Sequence, residues 1–516
     1  MRALPSLAAA TLLLTSVGAS APAFAHGDND RNVEIRAQLQ AVGVDNPVLS
    51  DNVAIQGASP GTQAISGCFT RTAPTFVVSG LQNLAVYDVS DPANPELKST
   101  IANEVFENEA MTCGEKKTAK KSKVRVRRFV LIGIDLHNAA VDQNGVAHTN
   151  DGLGQELMVV EVTNPNNPSI RGSVKATTGT HTVACVPSTN CRYAYSSGED
   201  DKFSIFKIRL LNKPREIDSN PRKKGIQPFS TPTGGHKWNF DNAGYGTHTG
   251  YDGSSIFDVS NPRRPKLITT TGKAGGLDPD EAGTRGYNDF IHHNSFRPNA
   301  KAFKPGRAAS YAKGNVLLVT EEDYVQTDCS LAGSFQTWHV TKLNRRAGTA
   351  IRPLDKVELS DLQAEQPVAV PQPQATFCSA HWFDYHPSGI VAIGYYGGGT
   401  QFIDVRDPKD IKSFGYAYMG ASEVWDALWV PKYGADGFQT GGKTNVVYSV
   451  DLAQGINVFS VDLPGKRFGL EPAGSDAQKR SVGDMAAASA VPVGLVAGAL
   501  ALVVAVRRRT RAHDLR

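Results

Sequence analysis

Four histidines stand at the head of related heptapeptides. His181 opens HTVACVP, His236 opens HKWNFDN, His292 opens HHNSFRP and His381 opens HWFDYHP; three of the four have Pro six residues later, at Pro187, Pro298 and Pro387, and the fourth has Asn242. The same offset brings in Glu109 from EAMTCGE and Trp425 from WDALWVP, with Asp426 beside it. Imidazole nitrogens suit Zn and Cu, and a carboxylate completes the coordination shell or acts as a base. Glu109, His181, His236, His292 and His381 are therefore a candidate metal set, provided the fold brings equivalent offsets to one axis. The competing reading is that each imidazole hydrogen-bonds a carbonyl of the next repeat. Geometry restrains the first reading, because ligands must converge to about 2 Å from one point.

The elements that must position these residues follow each motif. Residues 76–100, FVVSGLQNLAVYDVSDPANPELKST, contain short apolar runs, a Gly turn and a Pro-bracketed turn. That is strand and hairpin chemistry. The unit recurs as EVTNPNNP from Glu161, DVSNPRRP from Asp258 and DVRDPKDI from Asp404, with worn copies from Lys207, His339 and Phe459. Seven copies of a strand unit, in a chain without sustained helical periodicity, predict an all-β, seven-bladed β-propeller over residues 32–465. The first strand of each blade lines the channel of such a ring, which would set the candidate ligands at similar heights around it. The last copy lacks a fourth strand, so NVEIRAQ at residues 32–38 is expected to supply it and clasp the ring.

The unit of an apolar run followed by D-V-S-D/N-P-x-x-P resembles the LVIVD-repeat proteins, a family of mostly bacterial, often exported β-propellers. The resemblance is strong at Asp88, Glu161, Asp258 and Asp404 and implies architecture without a set activity. NVLLVTEED at residues 315–323 also resembles a strand of the selenium-binding protein and methanethiol oxidase propellers, whose His-based metal sites imply an enzyme.

Six cysteines in an exported domain favour disulfides. The preferred pairs are Cys68 with Cys113, at matching places in the first two repeats, Cys185 with Cys191 across a short turn, and Cys329 with Cys378. Glu199, Asp200 and Asp201, then Asp252, then Glu321, Glu322 and Asp323 all follow second strands, where hairpin loops gather at one face. Carboxylates there could take Ca²⁺, or be solvated turn residues. EKKTAKKSKVRVRR at residues 115–128 reads as a lengthened, solvated hairpin loop or as a contact for anionic lipid headgroups or wall polymers.

The remaining segments predict address. Arg2, an apolar run at residues 7–17 and Ala23-Phe24-Ala25 form a secretory signal peptide over residues 1–25. Residues 486–506 are apolar and uncharged, long enough to span a bilayer, and are followed by the Arg-rich residues 507–516, which the positive-inside rule places in the cytoplasm. Residues 466–485 read as a polar linker. A net charge of +4 carries no nucleic-acid signature, and no GxSxG, HExxH or P-loop occurs. The sequence thus predicts an exported, single-pass cell-membrane protein whose propeller binds an extracellular protein or envelope polymer. The alternative is a Zn- or Cu-dependent enzyme, an oxidase or hydrolase, with its site at one mouth of the channel.

Overall fold

The structure, a computed structural model, describes residues 47–465 apart from segments 103–108, 135–139, 142–146, 149–155, 272–285, 344–350, 368–377 and several of one to three residues. The expected leader, the linker, the membrane span and the basic tail lie outside the described residues. Among those described, no helix is long and apolar enough to cross a membrane.

Seven antiparallel sheets, six of four strands and one of five, form the blades, one per repeat. Blade 1 comprises Ala64–Phe69, Thr75–Gly80, Asn83–Asp88 and Glu96–Ala102. The first strands of blades 2 to 7 are Thr112–Lys120, Thr182–Val186, Gly235–Phe240, Ile291–Phe296, Phe383–Tyr385 and Val424–Tyr433. A propeller needs each blade to bury both faces against its neighbours, and the apolar side chains do this in seven separate clusters, one at each junction. Tyr87 and Tyr448 share the cluster between blades 1 and 7, Trp238 and Tyr195 the one between blades 3 and 4, and Phe402 and Trp429 the one between blades 6 and 7.

The repeated D-V-S-D/N-P turn has a local reason and a longer-range one. The carboxylates of Asp88, Asp258 and Asp404 accept the N–H two residues on, at 2.9, 2.9 and 3.0 Å, which closes each strand into its turn. The proline carbonyl of the turn then accepts a hydroxyl from the preceding blade. Tyr448 reaches Pro92 at 2.9 Å, Tyr195 reaches Pro262 at 2.7 Å and Thr337 reaches Pro408 at 2.6 Å. The motif is thus a blade-to-blade fastener.

Ring closure corrects an expectation. The fourth strand of blade 7 is Val53–Ser59, paired antiparallel with Gly455–Val461 from Val53↔Val461 to Ser59↔Ile456. Residues 32–38, expected in that place, lie outside the described residues. Val48–Leu49 adds a fifth strand to blade 6 through Tyr418 and Ala417, so the amino-terminal stretch straddles two blades. Three disulfides form, in the expected pairs: Cys68–Cys113 joins blades 1 and 2, Cys185–Cys191 ties the first hairpin of blade 3, and Cys329–Cys378 joins the segments around blades 5 and 6.

The basic stretch is not a loop. Residues 115–120 and 123–128 continue the first two strands of blade 2, in register as far as Lys120↔Lys123. Glu115 is buried at their base, accepting the N–H groups of Arg71 and Thr72 at 2.7 and 2.8 Å. Arg128 donates to the Thr72 carbonyl at 2.6 Å. The two residues anchor the hairpin to blade 1.

Candidate metal centre in the propeller channel

The first strands of four blades carry a β-bulge against their second strands, and the extra residue is the one that faces the axis. The registers skip Ile65 in blade 1, His236 in blade 4, His293 in blade 5 and Trp425 in blade 7. A bulge turns one side chain out of the ordinary alternation, which is why bulges gather at functional sites. In blades 2, 3 and 6 the corresponding residues, Glu109, His181 and His381, stand just ahead of the first strand.

Five consecutive blades, 2 to 6, thereby aim polar side chains at one point. The Nε2 atoms of His181 and His236 lie 3.0 Å apart. Glu109 reaches all four imidazoles: it pairs with His181 and stands 2.9 Å from His381 Nε2, 3.2 Å from His293 Nε2 and 3.7 Å from His236 Nε2. Glu322, from the second strand of blade 5, faces the same nitrogens at 3.4 Å from His293, 3.7 Å from His381 and 3.8 Å from His236. One donor atom from each of Glu109, His236, His293 and Glu322 falls within 4.8 Å of every other. All six residues are buried. Blades 7 and 1 contribute Trp425 and Ile65, which with Ile291, Tyr396 and Leu452 form an apolar cluster beside the polar one.

The outer groups fix this arrangement. His381 Nδ1 lies 2.6 Å from the Trp425 carbonyl, to which it donates. Tyr396 donates its hydroxyl to Glu322. That tyrosine has φ +48°, a left-handed conformation that a bulky residue adopts only under constraint. The bridge Tyr396↔Val424 to blade 7 supplies the constraint, with paired N–H to carbonyl bonds of 3.0 Å.

Electrostatics divide the two carboxylates. Burial acts to raise Glu109, but the adjoining imidazoles of His181, His236 and His293 outweigh it and hold the carboxyl well below its usual range. Burial and the charge of Glu109 push Glu322 well above its own, so that without a cation Glu322 holds a proton. Burial, and then the nearness of His381, keeps His293 neutral, and burial lowers His381 in the same direction.

The donor set has the chemistry of a metal site. His381 commits its Nδ1–H to a carbonyl and turns Nε2 toward the Glu109 carboxylate at 2.9 Å. With His181, His236 and His293 set around the same carboxylate, the nitrogen and oxygen atoms converge on one buried point as metal ligands do. Two nitrogens at 2.0–2.1 Å from one ion stand about 3 Å apart when adjacent in its shell, close to the His181–His236 spacing. The residues fit a first-row transition ion.

One ligand position is corrected. His292 does not face the axis: its Nε2 donates to the Tyr287 carbonyl, its Nδ1 lies 2.9 Å from Ser254 Oγ, and its ring packs on Trp338. His293, the next residue, takes its place. Glu322, expected in a solvated loop, is instead a buried strand residue of the cluster. Glu321 is buried too, 3.1 Å from the Phe290 N–H, 3.2 Å from the Ser334 hydroxyl and 3.3 Å from the Gln336 amide. Asp201 and Asp252 join no potential cation cluster among the described residues, and Glu199 lies outside them.

The remaining buried histidines are structural. His248 sets Nε2 2.6 Å from Ser197 Oγ and Nδ1 2.9 Å from Thr233 Oγ1. Burial, weakly opposed by the contact with Thr233, pushes it down to about 3. Its unfolded value is about 6.5, so below that pH the unfolded chain takes up a proton that the folded chain refuses. The contribution is complete above pH 6.5 and falls by about 1.4 kcal/mol per pH unit as pH drops toward the folded value. Urea unfolding at pH 7 and pH 5 should show a loss of about 2 kcal/mol from this group, and that share should vanish in His248→Asn. An equal loss in the variant would contradict the assignment.

The LVIVD repeat model matches residues 75–102, the first full turn-bearing unit of blade 1. This is a β-propeller carrying an LVIVD repeat. Among curated proteins none matches the sequence. The Cps50 (Swd1) β-propeller domain of Myceliophteria thermophila aligns with 80% of this chain and 100% of its own, at 10% identity and a TM-score of 0.47. In this propeller the matched segment is scaffold. Its apolar residues Phe76, Val78, Ala85 and Tyr87 pack against blade 7, while the buried polar cluster lies at the heads of the first strands in blades 2 to 6.

Proposed function

We propose that the LVIVD propeller is a metal-dependent enzyme whose channel holds one transition-metal ion on His181, His236, His293 and His381 with Glu109. Zn, Cu or Fe suits a set of four imidazoles. Bound there, the ion supplies Lewis-acid chemistry or, for Cu or Fe, electron transfer, consistent with an oxidase or hydrolase. Glu322, held by Tyr396, is placed to balance charge or carry a proton. The observation that carries this reading is the convergence of four buried imidazoles from four blades on the Glu109 carboxylate, with Glu322 facing the same nitrogens. Imidazoles that only fasten blades spend their nitrogens on neighbouring carbonyls and hydroxyls, as His292 and His248 do.

The three disulfides and the leader-like amino terminus support export, and the apolar residues 486–506 support a membrane anchor. A role in binding an extracellular protein or envelope polymer is a second reading. It is favoured by the two long hairpins, Thr112–Lys120 with Lys123–Ile134 and Val424–Tyr433 with Gln439–Asp451. Elemental analysis of the full chain tests the first reading. About one Zn, Cu or Fe per chain is expected in the unaltered protein and far less in His181→Ala and His381→Ala. Folded protein with substoichiometric metal, or with metal unmoved by both substitutions, would refute it.

A further inference from the structure

A cavity of about 200 Å³ runs along the same first strands that carry the ring, one to four residues beyond the ligands. Lys237 and Asn239 follow His236, Asn294, Ser295 and Phe296 follow His293, Trp382 to Tyr385 follow His381, and Asp426 and Leu428 follow Trp425. Phe296, 42% exposed, marks the outer end. The inner end is formed by Lys237 and Trp382: the ammonium sits 3.5 Å above the indole ring centroid, and the indole stacks on His293 at 3.8 Å.

Other polar groups of the cavity are matched. Asp384 accepts from Lys443 and, at 3.1 Å, from the Trp429 N–H. Asn239 donates to Asn294 at 2.9 Å. Lys237 differs: it rests on the face of Trp382 and feels the charges of Asp426 and Glu109, but among the described residues no carboxylate stands within ion-pair distance of it. Asp426 instead accepts from the Ala427 N–H at 2.8 Å. An ammonium drawn from bulk water and left with a ring face keeps strong donors unspent. The Ser295 hydroxyl lines the same cavity.

We infer that this cavity binds a small oxyanion, a carboxylate or an inorganic oxyanion, with Lys237 as its anchor, and that this anion is the substrate class presented to the channel centre. The second half rests on the reading of the ring as a metal centre; the first half does not. The volume sets an upper limit on size, below the 300–1,000 Å³ usual for drug-sized ligands. The indole beneath Lys237 fixes the ammonium in place, and Asp426 lies close enough to oppose an incoming negative charge.

Calorimetric titration of the full chain with acetate, inorganic phosphate and neutral acetamide tests the inference, on metal-loaded and on chelator-stripped protein. Acetate or phosphate should bind and acetamide should not, the preferred anion identifying the source. Lys237→Met should weaken binding at least tenfold with metal content unchanged, and Asp426→Asn, which keeps the bond to Ala427, should strengthen it severalfold. Thermal unfolding confirms that both variants fold; should Lys237→Met fail to, the Asp426→Asn result decides alone. Anion binding unchanged in Lys237→Met, weakened in Asp426→Asn, or absent from the unaltered protein would overturn the anion site. Lys237-dependent binding in a protein that takes up no metal would support the anion site and count against the metal centre only.

Discussion

Replacing His293 with Ala should lower metal affinity by about two orders of magnitude or more, whereas replacing its neighbour His292 should leave metal content intact and destabilise the fold. The two residues are adjacent in sequence and equally buried, yet the bulge that skips His293 sends them to opposite sides. His293 Nε2 points at both carboxylates of the ring, and removal of a direct ligand exceeds the 10–100-fold typical of outer-shell changes. His292 spends both ring nitrogens on Tyr287 and Ser254 and packs on Trp338, so His292→Ala leaves a cavity and two stranded polar groups. That combination costs about 2–4 kcal/mol. Metal analysis alongside urea unfolding separates the two effects. Metal loss in His292→Ala with retention in His293→Ala would reverse the assignment.

Stripping the metal should have the second large effect. The cluster gathers two carboxylates and four imidazoles around one buried point, where a bound cation would draw on several of their lone pairs at once. An ion that binds the folded chain alone stabilises it by about 4 kcal/mol at a thousandfold excess over its dissociation constant. For a domain of this size that is roughly 4–5 °C in the unfolding midpoint. Differential scanning calorimetry before and after exhaustive chelation, then after re-addition of Zn or Cu, reads the shift. A midpoint unmoved by both steps would show that no ion contributes to the folded state.

Much of this architecture is written in the repeat. The D-V-S-D/N-P turn declares itself because its residues act locally: Asp closes the turn, while Pro ends the strand and offers a carbonyl to the preceding blade. Counting its copies yields seven blades, and the motif ahead of each copy locates Glu109, His181, His236 and His381 on the channel. The departures have physical causes. A bulge shifts the axial position by one residue without changing composition, so the regular six-residue offset to Pro298 points to His292 while the backbone presents His293. Glu322 sits in a run of acids that resembles a solvated turn, and only the length of Val316–Glu322 carries it into the core. Tyr396 lies in a Gly-rich hairpin, where a left-handed non-glycine leaves no mark in the sequence. Alternation misleads about the closing strand: residues 32–38 alternate strictly, whereas Val53–Ser59, which pairs with Gly455–Val461, opens on three consecutive buried apolar residues.

Anomalous diffraction from crystals of the metal-loaded protein, collected at the absorption edge of the bound element, tests the metal centre most directly. One strong peak is expected on the channel axis, about 2 Å from Nε2 of His181, His236, His293 and His381 and beside a Glu109 oxygen. A metal-replete crystal with no peak at that point, or with the four imidazoles turned to carbonyls of neighbouring blades, would contradict it.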